Sequence, residues 1–402
     1  MANHNLTSAK RAKNDEFYTQ YGDIQKEIQS YLDYDAKTFY GKVVYCNCDD
    51  PFESNFFRYF VLNFNKLGLK QLITTSYKPS PVANTQLALF GNDKTLTKSK
   101  GRPKVTANKF IINEVGDIDN DGEFNLKDIA QQLKVNKHNE WAPLVGDGDF
   151  RSNECIELLK KSDVVVTNPP FSLFREYVKQ LFDYKKKFVI IGNKNAVTYK
   201  EIFPLIKDNK MWSGKTEWSG GLWFVTMDDG DVDKVIDGVN MKNVSSVWFT
   251  NLDHGRRHQP LPLMTMEENL KYSKHKEIQG KKDYEKYDNY NAIEVPFTDA
   301  IPSDYGGVMG VPISFLDKYN PEQFEIVGLT SGRDEFECRP SKRYLNPLQH
   351  NPNGTITNGS KANTRATILL KNTPDDIYYT ADNASGPFMI AYARILIKYK
   401  KK

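Results

Sequence analysis

The sequence predicts an α/β protein in which a mostly parallel sheet with helices on both faces is followed by a C-terminal α+β region. Three observations carry that prediction. Short β-branched runs alternate with longer helical patterns through the first half of the chain. The runs are apolar at consecutive positions, the pattern of strands buried on both faces. After Met227-Asp-Asp-Gly230 the alternation fades into polar sequence rich in Lys and Tyr, which sets a boundary between 1–228 and 229–402.

The strands expected of the sheet are Lys42-Val-Val-Tyr-Cys46, Leu72-Ile-Thr-Thr75, Asp163-Val-Val-Val-Thr167 and Phe188-Val-Ile-Ile191, with Gly221-Leu-Trp-Phe-Val-Thr226 as a later one. Helical stretches run from Pro51 to Leu67 and from Ser172 to Phe182. Between them the segment 77–109 carries Pro79, Pro81, Gly91, Gly101 and Pro103 and reads as a long surface insertion. No internal repeat occurs at a solenoid period.

Bulk properties narrow the class further. With 402 residues, 39% of them hydrophobic, the chain can bury a large core and a second module. It lacks any apolar run of ~18 residues, and Met1-Ala-Asn-His-Asn-Leu has neither the basic start nor the apolar stretch of a secretory signal. These features predict a soluble, cytoplasmic protein without a membrane partner. Four cysteines, Cys46, Cys48, Cys155 and Cys338, are too few and too uneven for a disulfide framework, and Cys46-Asn-Cys48 lacks zinc-site spacing. The net charge of +4 is only mildly basic, so the distribution of charge matters more than its sum.

The chemistry concentrates at Asp163-Val-Val-Val-Thr-Asn-Pro-Pro-Phe171. Asn168-Pro-Pro-Phe171 follows directly on a strand, at the end where open α/β sheets place ligand sites. The exocyclic amine of adenine is a poor nucleophile because its lone pair is delocalised into the ring. Acceptors aimed at its N–H bonds would favour the pyramidal, charge-developing nitrogen of the transition state. The Asn168 side-chain oxygen and the Pro169 carbonyl can be those acceptors, and consecutive Pro169 and Pro170 fix φ and hold the carbonyl in place. Phe171 offers a flat face for an extruded base, a stacking contact of roughly 1–3 kcal/mol set against a flipping cost of a few. Standing alone, Thr-Asn-Pro-Pro is equally a strand-terminating turn.

The preceding loop, Gly146-Asp-Gly-Asp-Phe150, shifts that balance. The carboxylate of Asp147 or Asp149 can accept an adenine amine while Phe150 packs on the ring, although a glycine-rich turn with solvated acids has the same composition.

Together these segments resemble the EcoRI-type family of adenine-specific (N6) DNA methyltransferases, with the γ-like order in which cofactor motifs come first and target recognition last. The likeness is strongest from Asp15 to about Val225. It implies a Rossmann-like, S-adenosylmethionine-dependent methyltransferase sheet and a C-terminal target-recognition region. By the same resemblance Asp15-Glu-Phe-Tyr-Thr19 is a cofactor segment in which Tyr18 and Thr19 hold the methionine carboxylate. Asn47 and Asp49 or Asp50, in the loop after the first strand, then face the methionine ammonium or other polar cofactor atoms. Asp49-Asp-Pro51 also reads as a helix cap followed by Pro at the first helical position. The chain departs from the pattern where Cys46-Asn-Cys-Asp-Asp-Pro51 replaces a glycine-rich loop. It departs again where the second strand ends in Thr75-Ser-Tyr77 rather than in an acid for the ribose.

Basic segments suggest the partner. Lys98-Ser-Lys-Gly-Arg-Pro-Lys104 has the look of a minor-groove arm, with Lys100, Arg102 and Lys104 as DNA contacts. In the C-terminal half Arg256 and Arg257 of His254-Gly-Arg-Arg-His258, and the Lys/Tyr stretch 271–290, are expected to meet bases and phosphates. Asp117-Ile-Asp-Asn-Asp-Gly122, with Asp128 beyond, has acids at calcium-loop spacing. It lacks the final Glu and follows a strand-like Phe110-Ile-Ile-Asn-Glu114, so no metal is expected.

The expected function is methyl transfer from S-adenosylmethionine to adenine N6 in a specific duplex DNA sequence, with base flipping. It would be the protective half of a restriction-modification system whose endonuclease acts on the same site without a stable complex. The competing readings are the same fold acting on RNA or protein glutamine, and a non-catalytic DNA-binding protein on a methyltransferase scaffold.

Overall fold

The computed structural model describes residues 18–48, 54–77, 107–118, 124–125, 128–129, 131–132, 138–225, 232–236, 238–330 and 338–400. The chain divides into two compact units, one of residues 1–196 with 211–255 and one of 197–210 with 256–402. This packing boundary lies beyond the 228/229 position read from composition.

In the first unit the strands are β1 (Tyr18–Thr19), β2 (Val43–Cys46), β3 (Gln71–Thr75), β4 (Asn108–Ile112), β5 (Glu140–Pro143) and β6 (Val164–Thr167). They continue with β7 (Lys187–Asn193), β8 (Trp212–Ser213), β9 (Leu222–Val225), β10 (Lys234–Ile236), β11 (Val239–Val244) and β12 (Ser246–Thr250). Eight of them form one sheet in the order β5-β4-β3-β2-β6-β7-β12-β8. The centre, β3-β2-β6-β7, is parallel, and the flanking strands pair antiparallel. β2 and β6 are buried at every position, which is why they read as unbroken apolar runs. β4 begins at Asn108, just inside the C-terminal limit drawn for the insertion. β9 is not part of the large sheet. It joins a second sheet, β1-β9-β11-β10, in which Thr19 pairs with Phe224.

The helices of this unit are α1 (Tyr21–Tyr34), α2 (Asn55–Leu62), α3 (Phe64–Leu67), α4 (Asn153–Lys161) and α5 (Phe174–Asp183). Ser54 caps α2 by accepting the Phe56 and Phe57 N–H groups, and Ser152 caps α4 through Cys155. α5 buries Phe174, Tyr177, Val178 and Leu181, the i, i+3, i+4, i+7 stripe of an amphipathic helix. One cluster of 25 buried residues joins α1 and α2 to both sheets, with Phe57 edge-on to Phe110 and Phe56 edge-on to Trp248. At its margin Glu27, fully buried, accepts hydrogen bonds from Tyr31, the Lys215 and Thr216 N–H groups and the Thr216 hydroxyl. Four donors satisfy a carboxylate that burial would otherwise penalise.

The second unit holds α6 (Phe203–Lys207), α7 (Met266–Tyr272) and two sheets. Its strands are β13 (Ile293–Glu294), β14 (Met309–Pro312), β15 (Phe324–Leu329), β16 (Leu348–His350), β17 (Ile356–Asn358), β18 (Thr367–Leu369), β19 (Tyr378–Thr380), β20 (Phe388–Ile390) and β21 (Arg394–Tyr399). They pair as β13-β14-β21-β15 and β17-β16-β19-β20-β18.

Candidate active site

Strand order reverses between β2 and β6: the chain passes from β2 to β3 on one side and later returns to β6 on the other. Ligand crevices in open α/β sheets form at such points, beyond the carboxyl ends of the strands. The residues there are Asn47 after β2, Ser76 after β3 and Asn168 after β6.

Asn47 is the hub of this edge. It is 3% exposed; its carbonyl accepts the Thr167 hydroxyl and its side-chain oxygen accepts the Tyr177 phenol. The ends of β2 and β6 are thus tied together, and the Asn47 amide keeps its NH2 group as a donor. Complete burial pushes the Tyr177 phenol well above its ordinary range, so it stays a neutral donor. Cys48 follows with φ +64°, a left-handed conformation normally left to glycine. Here a non-glycine residue makes the turn that the missing glycine-rich loop was expected to make. Asp49 and Asp50 lie outside the described residues.

Asn168 is half-buried, Pro169 buried, and Pro170 opens a 3-10 turn, Phe171–Leu173, closed by the Leu173 N–H on the Pro170 carbonyl at 3.0 Å. Phe171 packs against the large core. The segment therefore leaves β6 in a fixed direction, with its start anchored through Thr167. Asp163, at the other end of β6, accepts the Val43 N–H at 2.8 Å and belongs to the strand pairing, far from the carboxyl edge.

The Gly146–Phe150 loop lies against the end of β3. Gly148 has φ +80°, and a Cβ there would sit 1.9 Å from the Ser76 carbonyl oxygen, so only glycine allows this approach. The exposed Asp147 accepts the Asp149 N–H at 3.0 Å. Asp149 is gripped by Arg151, whose Nε meets one oxygen at 2.9 Å and whose guanidinium NH2 group meets the other at 2.7 Å. Those hydrogen bonds hold the Asp149 carboxyl below the usual carboxylate range. Phe150 is 4% exposed and edge-on to Tyr177, with centroids 5.0 Å apart. The sequence predicts a ring packed on an adenine; this ring is packed against Tyr177 instead of lying open to one.

On the far side of β2, the Asn55 side chain donates to the Thr19 carbonyl at 2.8 Å and brings β1 to the start of α2. Among the described residues, Thr19 Oγ1 and Gln20 Nε2 are buried with no hydrogen-bond partner. Native proteins seldom leave such atoms unpaired unless a ligand or water completes them. Polar atoms of a ligand spanning β1, β2 and β3 fit this edge.

The remaining expected residues are placed elsewhere. Lys100, Arg102 and Lys104 lie outside the described residues. Arg256 pairs with Asp317 at 2.9 Å with only 15% of its side chain exposed, and Arg257, 8% exposed, donates to Asn209. In this conformation both guanidinium groups anchor the second unit internally. In the 271–290 stretch Tyr284, Tyr287 and Tyr290 are buried core residues, whereas Lys271, Lys274, Lys276, Lys281, Lys282 and Lys286 are exposed. Asp128, fully buried, accepts the Ile118 and Asn125 N–H groups. Tyr177 and Thr167 escaped the sequence reading. The apolar stripe of α5 signals a buried Tyr177, and a buried phenol needs an acceptor nearby.

Known proteins are similar to this chain over most of its length. The family model described as "Adenine-specific methyltransferase EcoRI" matches residues 5–400. The chain is 43% identical over 338 residues to the type II methyltransferase M.EcoRI of Escherichia coli, covering 82% of this chain and 90% of that relative. It is 36% identical over 331 residues to the type II methyltransferase M.MpnI of Mycoplasma pneumoniae, covering 81% and 85% of the two chains. With the type II methyltransferase M.MgeORF184P of Mycoplasma genitalium the figures are 35% identity over 331 residues, 81% and 86%. No solved structure matches.

Proposed function

Because this chain belongs to the EcoRI family of adenine-specific methyltransferases, we propose that the carboxyl edge of β3, β2 and β6 is its active site. The protein is a site-specific, adenine-specific DNA methyltransferase of the restriction-modification type. It methylates the N6 amine of adenine in duplex DNA. On this reading the large sheet is a Rossmann-like methyltransferase sheet, residues 1–228 form the catalytic part and 229–402 the target-recognition part. The enzyme works in the cytoplasm on DNA that a cognate endonuclease would otherwise cut.

S-adenosylmethionine is the donor that fits this edge, and when bound it supplies an electrophilic methyl group. Adjacent strands are ~4.8 Å apart, so β3, β2 and the segment around β1 give an elongated ligand polar contacts along its length. Thr19, with Tyr18 beside it, would hold the methionine carboxylate. Asn47, through its free amide NH2, and Asp49 or Asp50 would hold other polar atoms of that end. The adenine end belongs at 146–150. Asp147 and Asp149 are the candidate acceptors for its amine, Asp149 being kept ionised by Arg151, while Phe150 packs against Tyr177.

The target adenine, extruded from the duplex, would stack on Phe171 and present its amine to the Asn168 oxygen and the Pro169 carbonyl. Two acceptors on the N–H bonds draw the nitrogen toward a pyramidal geometry and stabilise its developing positive charge. Rigid Pro169-Pro170 and the tie from Thr167 to Asn47 keep those acceptors in register with the methyl group. Lys100, Arg102 and Lys104 would add backbone or minor-groove contacts.

The observation that carries the reading is Asn168-Pro-Pro-Phe171 at the switch point, held to the β2 loop through Thr167 and Asn47. Asn168→Ala is expected to lower methyl transfer by roughly 100- to 1,000-fold while cofactor and DNA affinities stay within a few-fold. Tritiated S-adenosylmethionine incubated separately with duplex DNA, RNA and ribosomal protein reads the result. Retained transfer by the variant defeats the assigned role, and label in RNA or protein alone defeats the substrate.

A further inference from the structure

We propose that the β16–β17 hairpin, Leu348–Asn358, is the base-reading element of this enzyme and enters the major groove of the target duplex. The inference rests on the reading of residues 229–402 as the target-recognition part. It deepens that reading to one element.

Charge gives the first argument. From Cys338 to Pro374 the sequence contains no Asp or Glu, although the chain has 51 acids among 402 residues. The same stretch carries Arg339, Lys342, Arg343, Lys361, Arg365 and Lys371, of which Lys342 is paired to Asp288 at 2.7 Å. Acids return only at Asp375 and Asp376, just before β19. A segment so depleted of negative charge is matched to a polyanion.

Shape gives the second. β17 is the outermost strand of its sheet, and all three of its residues are exposed, Ile356 by 57%. Edge strands are usually blunted by charge, proline or short length; β17 carries no charge or proline and is three residues long, so its exposed Ile356 is left open to a partner. A partner surface would cover it. Two-stranded ribbons fit the B-DNA major groove, which is ~12 Å wide.

Chemistry gives the third. The hairpin presents uncharged amide and hydroxyl groups together with an aliphatic side chain, the set that pairs with adenine edges and thymine methyl groups. Its tip is preformed. Asn351 donates to the Thr355 carbonyl at 3.0 Å, Asn353 accepts from the Thr355 hydroxyl at 2.6 Å, and Gly354 takes φ +79°. Behind it His350 stacks on Tyr378 with centroids 4.5 Å apart, so the ribbon is held at its base. Thr357 and Ile356 project from opposite faces of this fixed frame, so the ribbon meets the groove along its β17 edge, where both side chains are exposed. The exposed lysines of 271–286, by contrast, suit phosphates, which position a protein without reading sequence.

The test uses the full-length enzyme. Its site is first identified by sequencing modified bases in DNA from cells expressing it. Methylation of a duplex carrying that site, and of duplexes with each base pair changed in turn, is then measured for wild type, Thr357→Ala, Ile356→Ser and the phosphate-contact control Lys276→Ala. Both hairpin positions are solvent-exposed, and unchanged S-adenosylmethionine affinity verifies folding of each variant independently. The expected result is a fall of ~10-fold or more in the ratio of kcat/KM between cognate and altered duplexes, confined to one or two base pairs. Lys276→Ala should weaken all duplexes alike and flatten the salt dependence. Unchanged discrimination by folded Thr357→Ala and Ile356→Ser, whether activity is retained or falls uniformly, overturns the proposal. A wild-type enzyme that methylates no duplex would instead defeat the functional reading beneath it.

Discussion

In the first unit one cluster of buried apolar residues runs from α1, α2 and α3 to both sheets, whereas the second unit sets buried ion pairs and tyrosine hydrogen bonds beside an apolar core that includes Val311, Phe315, Phe324, Ile326, Ile395 and Ile397. The polar pairs of the second unit involve charged groups that are largely buried. Glu294 meets Arg394 at 2.5 Å and also accepts the Tyr287 phenol. Tyr344 donates to Asp288 at 2.6 Å, and the buried Asn289 donates to the Ala362 and Arg365 carbonyls and accepts the Thr367 N–H. Dense apolar packing gives a stiff platform whose strand ends are held at fixed spacing. Directional polar pairs specify a few points and leave the loops between them open to variation. On the assignment proposed above, a transferase uses the first to hold its reacting atoms and the second for a surface that reads one sequence among many.

The strongest test of that comparison removes one member of each kind. Phe57→Ala in the apolar cluster and Glu294→Ala beside Arg394 should each cost about 3–5 kcal/mol, the first by leaving a cavity and the second by stranding a buried charge. Replacing Glu294 and Arg394 together by Leu and Met should recover most of the second loss but none of the first. Urea titration read by fluorescence would check this, and an equal loss in single and double variants would break the distinction.

Gly148→Ala comes next, because the added methyl drives the loop away from Ser76 and sits at a positive φ. We expect S-adenosylmethionine binding to weaken roughly 10-fold or more, measured by calorimetry, with little change in DNA affinity. A smaller effect of opposite sign is expected at Cys48. Cys48→Gly relieves the left-handed strain and should stabilise by up to ~1 kcal/mol, visible as a higher Tm. The weakest concerns acid. The Asp149 carboxyl lies below its ordinary value when folded, so its stabilisation is present above the unfolded value, near ~4, and is lost as pH falls through the folded one. Asp149→Asn should flatten that part of the Tm–pH curve, by well under ~1 kcal/mol because the pair is solvent-screened.

The parallel centre was legible in the sequence because doubly buried strands cannot hide their composition: Val43–Cys46 and Val164–Thr167 are apolar almost throughout. β12 carries an equally apolar run, Ser246-Val-Trp-Phe-Thr250, but it falls after the compositional change near Gly230, which masked its place beside β7. β1 and β9 pair across two hundred residues, and no local pattern reports such a pairing. At the site, Asn168-Pro-Pro-Phe171 and the Gly146–Phe150 loop were legible as motifs. The partners of Arg256, Arg257 and Asp149 were not, since a charged residue in a sequence looks the same whether it faces solvent or an ion-pair partner. Tyrosines between lysines at 271–290 had the same ambiguity, and burial assigned Tyr284, Tyr287 and Tyr290 to the core while leaving Tyr272 exposed.

The excursion of residues 197–210 bears on how such enzymes can be recombined. The chain leaves the catalytic unit after Ala196, contributes α6 with the buried Phe203 and Ile206 to the second unit, and returns at Met211 to add β8 and the second sheet. A recognition unit grafted from a relative at a single junction near Gly255 would thus inherit a foreign α6 beneath its own β15. Any exchange of specificity between relatives has three seams rather than one, at 196/197, 210/211 and 255/256, and the short insert must travel with the long one.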